Sequence, residues 1–191
     1  MPRKLSLLVS LLIITAAQVF TNVSFAAEQE AYTRIIIFRH APKIENPSPL
    51  EDLGLNEEGL RRAEGLTELG SHYKISGIYS TNFKRTIDTV LPLANKADVK
   101  VDTKIGPVDF QGYLNDILAN HKNKTVVVVG HSNTVPGLVN HMVPDANLEN
   151  LEHDAYDDIF IVKYYGSGHS ELMKMKYQVT TVTSHSLFLK D

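Results

Sequence analysis

Apolar residues along the chain fall into two kinds of pattern. "RIIIF" (34–38) and "TVVVVG" (125–130) are uninterrupted apolar runs, the mark of strands buried on both faces of a sheet. "ISGIYS" (75–80) and "VKVD" (99–102) predict two shorter strands. The segments between them carry helical spacing instead. In "NEEGLRRAEGLTELGSHY", Asn56 caps a helix and Glu57 and Glu58 suit the positive end of its dipole. Leu60, Ala63, Leu66 and Leu69 supply its apolar face. "NFKRTIDTVLPLANK" predicts a second helix that Pro92 bends or ends. "FQGYLNDILANHK" (110–122) predicts a third, and "TVPGLVNHMV" (134–143) a fourth with Pro136 in its first turn. "IFIVKYY" (159–165) and "ELMKMKYQV" (171–179) predict a closing hairpin around "GSGHS". Residues 41–55 hold three prolines and a glycine and predict a loop.

Strands that alternate with helices and end in a hairpin predict an α/β fold. It has three layers, α/β/α, around a mostly parallel sheet with an antiparallel edge. Ligands in such sheets sit beyond the carboxyl ends of the strands. Arg39-His40 follows the first apolar run, and His131 follows the second about ninety residues later. "STNFKR" leaves a third strand and carries Arg85. Three strands are thus expected to deliver two arginines and two histidines to one edge.

The N-terminus has a different character. Arg3 and Lys4 precede an apolar run from Leu5 to Ala17, and Ser24 and Ala26 have the spacing of a signal-peptidase site. Residues 1–26 are therefore expected to be a secretory signal, and 27–191 a single domain. The alternative is a retained anchor, for which the run is short, a span needing roughly 20 apolar residues. An exported or periplasmic location follows, with no stable membrane insertion after cleavage. Loss of Arg3 and Lys4 from 19 basic and 22 acidic residues leaves a net charge of −5. No basic or aromatic-rich tract supports nucleic-acid binding. Cysteine is absent, which removes disulfides, a thiol nucleophile and cysteine metal ligands.

Two arginines and two histidines make a cationic pocket. Arginine presents a planar donor fork to phosphate oxygens. Phosphoryl transfer needs charge stabilised on the equatorial oxygens and an in-line nucleophile. A histidine held neutral and oriented can be that nucleophile. In "FRHAPK", "LNEEGLRRAEGL", "IYSTNFKRTIDTV" and "VVVVGHSNTVPGL" the sequence resembles the histidine phosphatase superfamily, with its phosphoglycerate-mutase-like fold, from about Arg34 to Tyr165. The resemblance implies that His40 attacks phosphorus and becomes phosphohistidine. It implies that Arg39 and Arg85 bind the phosphoryl oxygens and that His131 donates to the same group. Ala41 stands where many members have glycine. The glutamate-bearing segment that many mutase-type members carry after the third strand is missing.

Asp109, 24 residues beyond Arg85, is the candidate substitute acid; its other reading is the N-cap of the helix at 110. Asp116, Asp154, Asp157 and Asp158 are the next carboxylates to consider. Ser132 and Asn133 begin a helix, where an anion can be met, and are candidate ancillary phosphate contacts. The remaining histidines lack ligand-like spacing, so neither a metal site nor a cofactor is expected. "DAYDDIF" (154–160) is expected to be a solvated loop, and "GSGHS" a turn rather than a phosphate cradle. The activity expected is a metal-independent phosphatase, with a mutase and a non-catalytic phospho-ligand-binding module as alternatives. A phosphorylated small molecule, a glycan and a phosphoprotein remain open as substrate, and the sequence leaves the oligomeric state unspecified.

Overall fold

Burial decides the centre of the molecule. Ile35, Ile36 and Ile37 are fully inaccessible, as are Val126, Val127 and Val129. They belong to β1 (Thr33–Arg39) and β4 (Thr125–Gly130), which pair in parallel at the middle of a six-stranded sheet. The computed structural model describes residues 30–45, 52–166 and 168–177, and those from Ala31 onward form one compact unit. The expected signal segment, 1–26, lies outside the described residues, as do residues 46–51 of the 41–55 loop and Ser167 of the hairpin turn. Among the described residues no helix is long and apolar enough to cross a membrane.

The other elements are α1 (Glu57–Gly65), α2 (Glu68–His72), β2 (Ile75–Ser80), α3 (Lys84–Ala97), β3 (Val101–Asp102), α4 (Phe110–His121), α5 (Thr134–Met142), β5 (Asp158–Tyr164) and β6 (Ser170–Lys176). The strand order is β3-β2-β4-β1-β5-β6. β3, β2, β4 and β1 run parallel, while β5 and β6 add an antiparallel edge. Alternate residues of β1 serve opposite faces. Ile35 and Ile37 pack with Leu114, Ile117, Leu138 and Val139 of α4 and α5. Ile36 and Phe38 pack with Leu66, Val90 and Leu93 on the other side. The three-layer α/β architecture is therefore the one the sequence predicts.

Local expectations changed in three places. The helix from Asn56 is two helices, broken at Leu66 and Thr67, where Thr67 N–H bonds to Glu64 O, three residues back rather than four. Asn56 does cap α1, accepting from Gly59 N at 2.9 Å. Leu60, however, is 56% exposed, and the buried face is Gly59 and Ala63. The cause is close approach: a side chain at Gly59 would collide with the Pro42 carbonyl. Pro92 does not end α3, which continues to Ala97 because Val90, Leu93 and Ala94 are buried on one face. That packing outweighs the hydrogen bond proline forfeits. Finally, "DAYDDIF" is not wholly a solvated loop. Asp158 opens β5, is 4% exposed, and pairs with Lys174 at 3.3 Å and Lys176 at 2.9 Å.

Candidate active site

Strand register assembles the site. Arg39 is the β1 partner of Gly130 on β4, so the residues that follow, His40 and His131, emerge side by side. His40 N–H donates to Gly130 O at 2.9 Å, which fixes the exit of the chain. Ser80 of β2 pairs with Val129, which places Thr81 beside them. α3 then begins two residues beyond Asn82 and presents Arg85 in its first turn. The His40 and His131 rings are 5.5 Å apart between centroids. Arg85 Nη2 lies 3.5 Å from His131 Nδ1. The structure thus brings together Arg39, His40, Arg85 and His131, as the sequence predicts.

His40 is 4% exposed. Its Nδ1 lies 2.8 Å from Ala41 O. A carbonyl only accepts, so Nδ1 carries the proton and Nε2 keeps its lone pair. Burial, reinforced by the charges of Arg39 and Arg85, pushes the imidazole down to about 3 despite the Ala41 hydrogen bond. The ring is therefore neutral at pH 7, the state a nucleophile needs.

His131 is fixed from its backbone outward. Its N–H donates to Thr134 Oγ1 at 2.8 Å. That hydroxyl occupies the space a side chain at residue 130 would need, so Gly130 is required there. A guanidinium only donates, so His131 Nδ1 is the acceptor toward Arg85, and Nε2–H donates to Thr81 Oγ1 at 2.9 Å. Burial and then the two arginines push His131 down to about 4.

The arginines are held differently. Arg39 is 7% exposed. Its Nη1 donates to the carbonyls of Glu152 and His153 at 2.9 Å each, with Ala155 O at 3.4 Å. Its guanidinium carbon lies 4.1 Å from the Tyr156 ring centroid, and its buried Nε–H has no partner among the described residues. Carbonyls and a π-face orient the cation without pairing it to a carboxylate, and the acid whose charge it feels is Asp154, one of the candidate carboxylates. Arg85 has a carboxylate neighbour, Asp52 Oδ1 at 3.4 Å. Asp52 Oδ2 accepts from Lys84 N at 2.7 Å and so caps α3 from a distant loop. The N-cap position itself is Phe83, which makes no side-chain cap.

The other predicted residues lie outside this cluster of contacts. Asp109 caps α4, its Oδ1 accepting from Gly112 N at 2.9 Å. It makes no hydrogen bond to Arg39, His40, Arg85 or His131. Its turn nevertheless borders the ligand edge: Pro107 and Phe110 line a small cavity with Thr81, Gly130 and Thr134. Ser132 is tied through its carbonyl, which accepts from Leu151 N at 2.8 Å, and Asn133 is the exposed N-cap position of α5. Asp116 accepts from Tyr79 OH at 2.6 Å, beside His121 rather than in the His40–His131 cluster of contacts. Asp157 and Asp158 are paired with lysines of β6.

Sequence reasoning missed Asp52, Thr81, Phe83, Thr89 and Tyr156. Thr89 Oγ1 accepts from Ala41 N at 2.9 Å and donates to Arg85 O at 2.7 Å, joining the His40 turn to α3. Its spacing from Arg85, one helical turn, was a readable signal. Tyr156 and Asp52 reach the site through tertiary contacts more than thirty residues long, which no local pattern marks.

Known proteins share part of this sequence and its fold. Residues 35–106, which include Arg39, His40 and Arg85, match the model of the histidine phosphatase superfamily (branch 1). No curated protein sequence gives a significant match. Among solved structures, the protein histidine phosphatase SixA complexed with tungstate is 16% identical, with a TM-score of 0.60 over 75% of this chain and 96% of its own. A mycobacterial glucosyl-3-phosphoglycerate phosphatase is 14% identical, with a TM-score of 0.59 over 77% and 100%. A phosphoserine phosphatase mutant from Entamoeba histolytica, in complex with phosphoserine, is 16% identical, with a TM-score of 0.52 over 74% and 95%. At these identities the likeness is one of fold, and it is the fold the sequence motifs imply. The chain thus resembles the histidine phosphatase superfamily over residues 35–106 and shares the fold of these solved phosphatases.

Proposed function

We propose that the protein is a metal-independent phosphatase that hydrolyses phosphomonoesters through a phosphohistidine on His40. The observation that carries this is the His40 tautomer: Nδ1–H is committed to Ala41 O, and Nε2 is unprotonated among two arginines and a second histidine. In this reading Nε2 attacks phosphorus in line, the P–O bond to the leaving group breaks, and water then cleaves the P–N bond. Arg39 Nε–H, without a partner among the described residues, and the Arg85 fork meet the phosphoryl oxygens. His131 is neutral in the free protein, and a dianion beside it favours a second proton on Nδ1. It then donates to the phosphoryl group as charge develops. Ser132 and Asn133, at the start of α5, are ancillary contacts in the same reading.

Asp109 is the proposed proton donor to the leaving alkoxide and later the base that activates water. Its Oδ1 is engaged in capping, and Oδ2 has no hydrogen-bond partner among the described residues. The positive charge that a metal would bring is already present as two guanidinium groups. Export with cleavage after Ala26 belongs to the same proposal and is supported by the N-terminal sequence pattern.

The test is a panel of phosphomonoesters assayed with and without chelator, beside the His40→Ala variant. Turnover indifferent to EDTA and abolished by His40→Ala is expected. Rapid quench should trap an acid-labile, base-stable phosphoenzyme. Normal turnover by His40→Ala overturns the reading. Tight phosphate binding without turnover of even an activated aryl ester would mean a binding module instead.

A further inference from the structure

Four rings stand in a row across the site. Tyr156 and His40 are 5.8 Å apart between centroids, His40 and His131 5.5 Å, and His131 and Phe83 5.2 Å. Each end ring also covers one of the arginines: Tyr156 lies 4.1 Å from the Arg39 guanidinium carbon, and Phe83 4.4 Å from that of Arg85. The two ends differ in exposure. Tyr156 is partly buried, whereas Phe83 is 38% exposed.

Phe83 is an expensive residue in this place. It occupies the N-cap position of α3, where Ser, Thr, Asp and Asn are preferred for their side-chain acceptors. The missing acceptor is supplied by Asp52, whose Oδ2 takes the Lys84 N–H at 2.7 Å. The helix start is thus capped by another segment while an open aromatic face is kept beside His131 and Arg85. Polar alternatives nearby are already engaged. Ser80, Thr81, Thr86, Thr89 and Thr134 all spend their hydroxyls on internal hydrogen bonds. An aromatic face beside a phosphoryl pocket suits a flat apolar group attached to the phosphate.

We infer that Phe83 is a specificity-determining residue, and that the preferred substrate is a phosphomonoester whose leaving group is a planar aromatic ring stacked or edged against it. The substrate assignment rests on the phosphatase reading above, but the contact itself is read by binding alone. Phenylphosphonate and methylphosphonate carry the same head group and are not hydrolysed, because their carbon–phosphorus bond offers no leaving oxygen. Calorimetric titration of both into wild-type protein should show phenylphosphonate bound at least about ten-fold more tightly, given the worth of ring–ring contact plus apolar burial. Phe83→Leu keeps an apolar side chain and loses the ring; the preference should fall by about three- to ten-fold. Phe83→Tyr should preserve it. Phe83 also stacks on Arg85, so a purely structural role would weaken both phosphonates equally. An equal loss, an unchanged ratio in Phe83→Leu, or no binding of either ligand overturns the inference. A protein that hydrolyses no monoester yet shows the ring preference loses the hydrolase reading and with it the substrate assignment, and keeps Phe83 as the residue that selects an aromatic ligand.

Discussion

The His40 and His131 rings lie 5.5 Å apart at 64° to one another, both neutral at pH 7 and both held that way by burial and by the arginines around them. Their shared environment makes the stability of the fold depend on pH.

Acid should destabilise the free protein through these two rings. Folded-state values of about 3 for His40 and about 4 for His131 lie below the ordinary 6.5. Between those values and 6.5 the unfolded chain binds more protons than the folded one. Stability is therefore fully present above pH 6.5 and is lost as pH falls through the window. The limiting slope is about 1.4 kcal/mol per pH unit for each histidine. His131 contributes less, because it is the more solvent-screened of the two. Denaturant melts from pH 7 to 4 should show a shallower loss in His40→Gln than in wild type. Parallel curves would mean that His40 is not held neutral by the fold.

The strands that carry the site were the most legible part of the chain. Ile35–Ile37 and Val126–Val129 are buried on both faces, and burial on both faces writes an unbroken apolar run into the sequence. The polar residues at the ends of those runs were legible for the same reason. What failed depended on contacts between distant segments. Leu60 fits a helical stripe, yet the helix is set by how closely Gly59 approaches Pro42, and the stripe turns outward. Tyr156 carries no local mark of its role, since the guanidinium it covers belongs to a strand 117 residues away. Asp52 sits in a proline-rich loop and caps a helix 32 residues later. The fourfold set of charged and imidazole residues was readable; the carbonyls, carboxylate and rings that aim it were not.

The two arginines should separate in their effects on stability. Arg39 is buried and supplies the donors for the Glu152 and His153 carbonyls. Arg39→Ala leaves those acceptors unpaired, at about 1–3 kcal/mol for each one that stays buried. It should lower both activity and Tm, and Arg39→Lys should not restore the forked geometry. Arg85 is partly exposed and its pairing with Asp52 at 3.4 Å is a surface contact of little worth. Arg85→Ala should cost comparable activity with Tm within a few degrees of wild type. Thermal melts beside kcat/KM check this, and equal Tm losses in both variants would refute the distinction.

Export predicts one covalent fact. Cleavage after Ala26, or one residue later, leaves Ala27 or Glu28 as the mature N-terminus. N-terminal sequencing of the protein recovered outside the cytoplasm is the measurement. Met1 on that material would show a retained anchor.

The proton donor is settled by comparing leaving groups. An alkoxide needs protonation as its bond to phosphorus breaks, and a nitrophenolate hardly does. Asp109→Asn removes the proton but keeps an oxygen that can accept from Gly112 N, so the α4 cap and the fold's stability should survive. If Asp109 is the acid, the variant slows phosphorylation by alkyl phosphates far more than by nitrophenyl phosphate, by up to the roughly 100- to 10,000-fold such groups contribute. Single-turnover rates are required, because slow dephosphorylation would hide the contrast in steady state. Equal rates on both substrates would leave Asp109 as a cap alone. The same comparison would then pass to Asp52, whose Oδ1 stands 3.4 Å from Arg85. Asp52→Asn likewise preserves an acceptor for Lys84 N. A loss confined to alkyl esters in that variant would move the acid to the loop that follows β1.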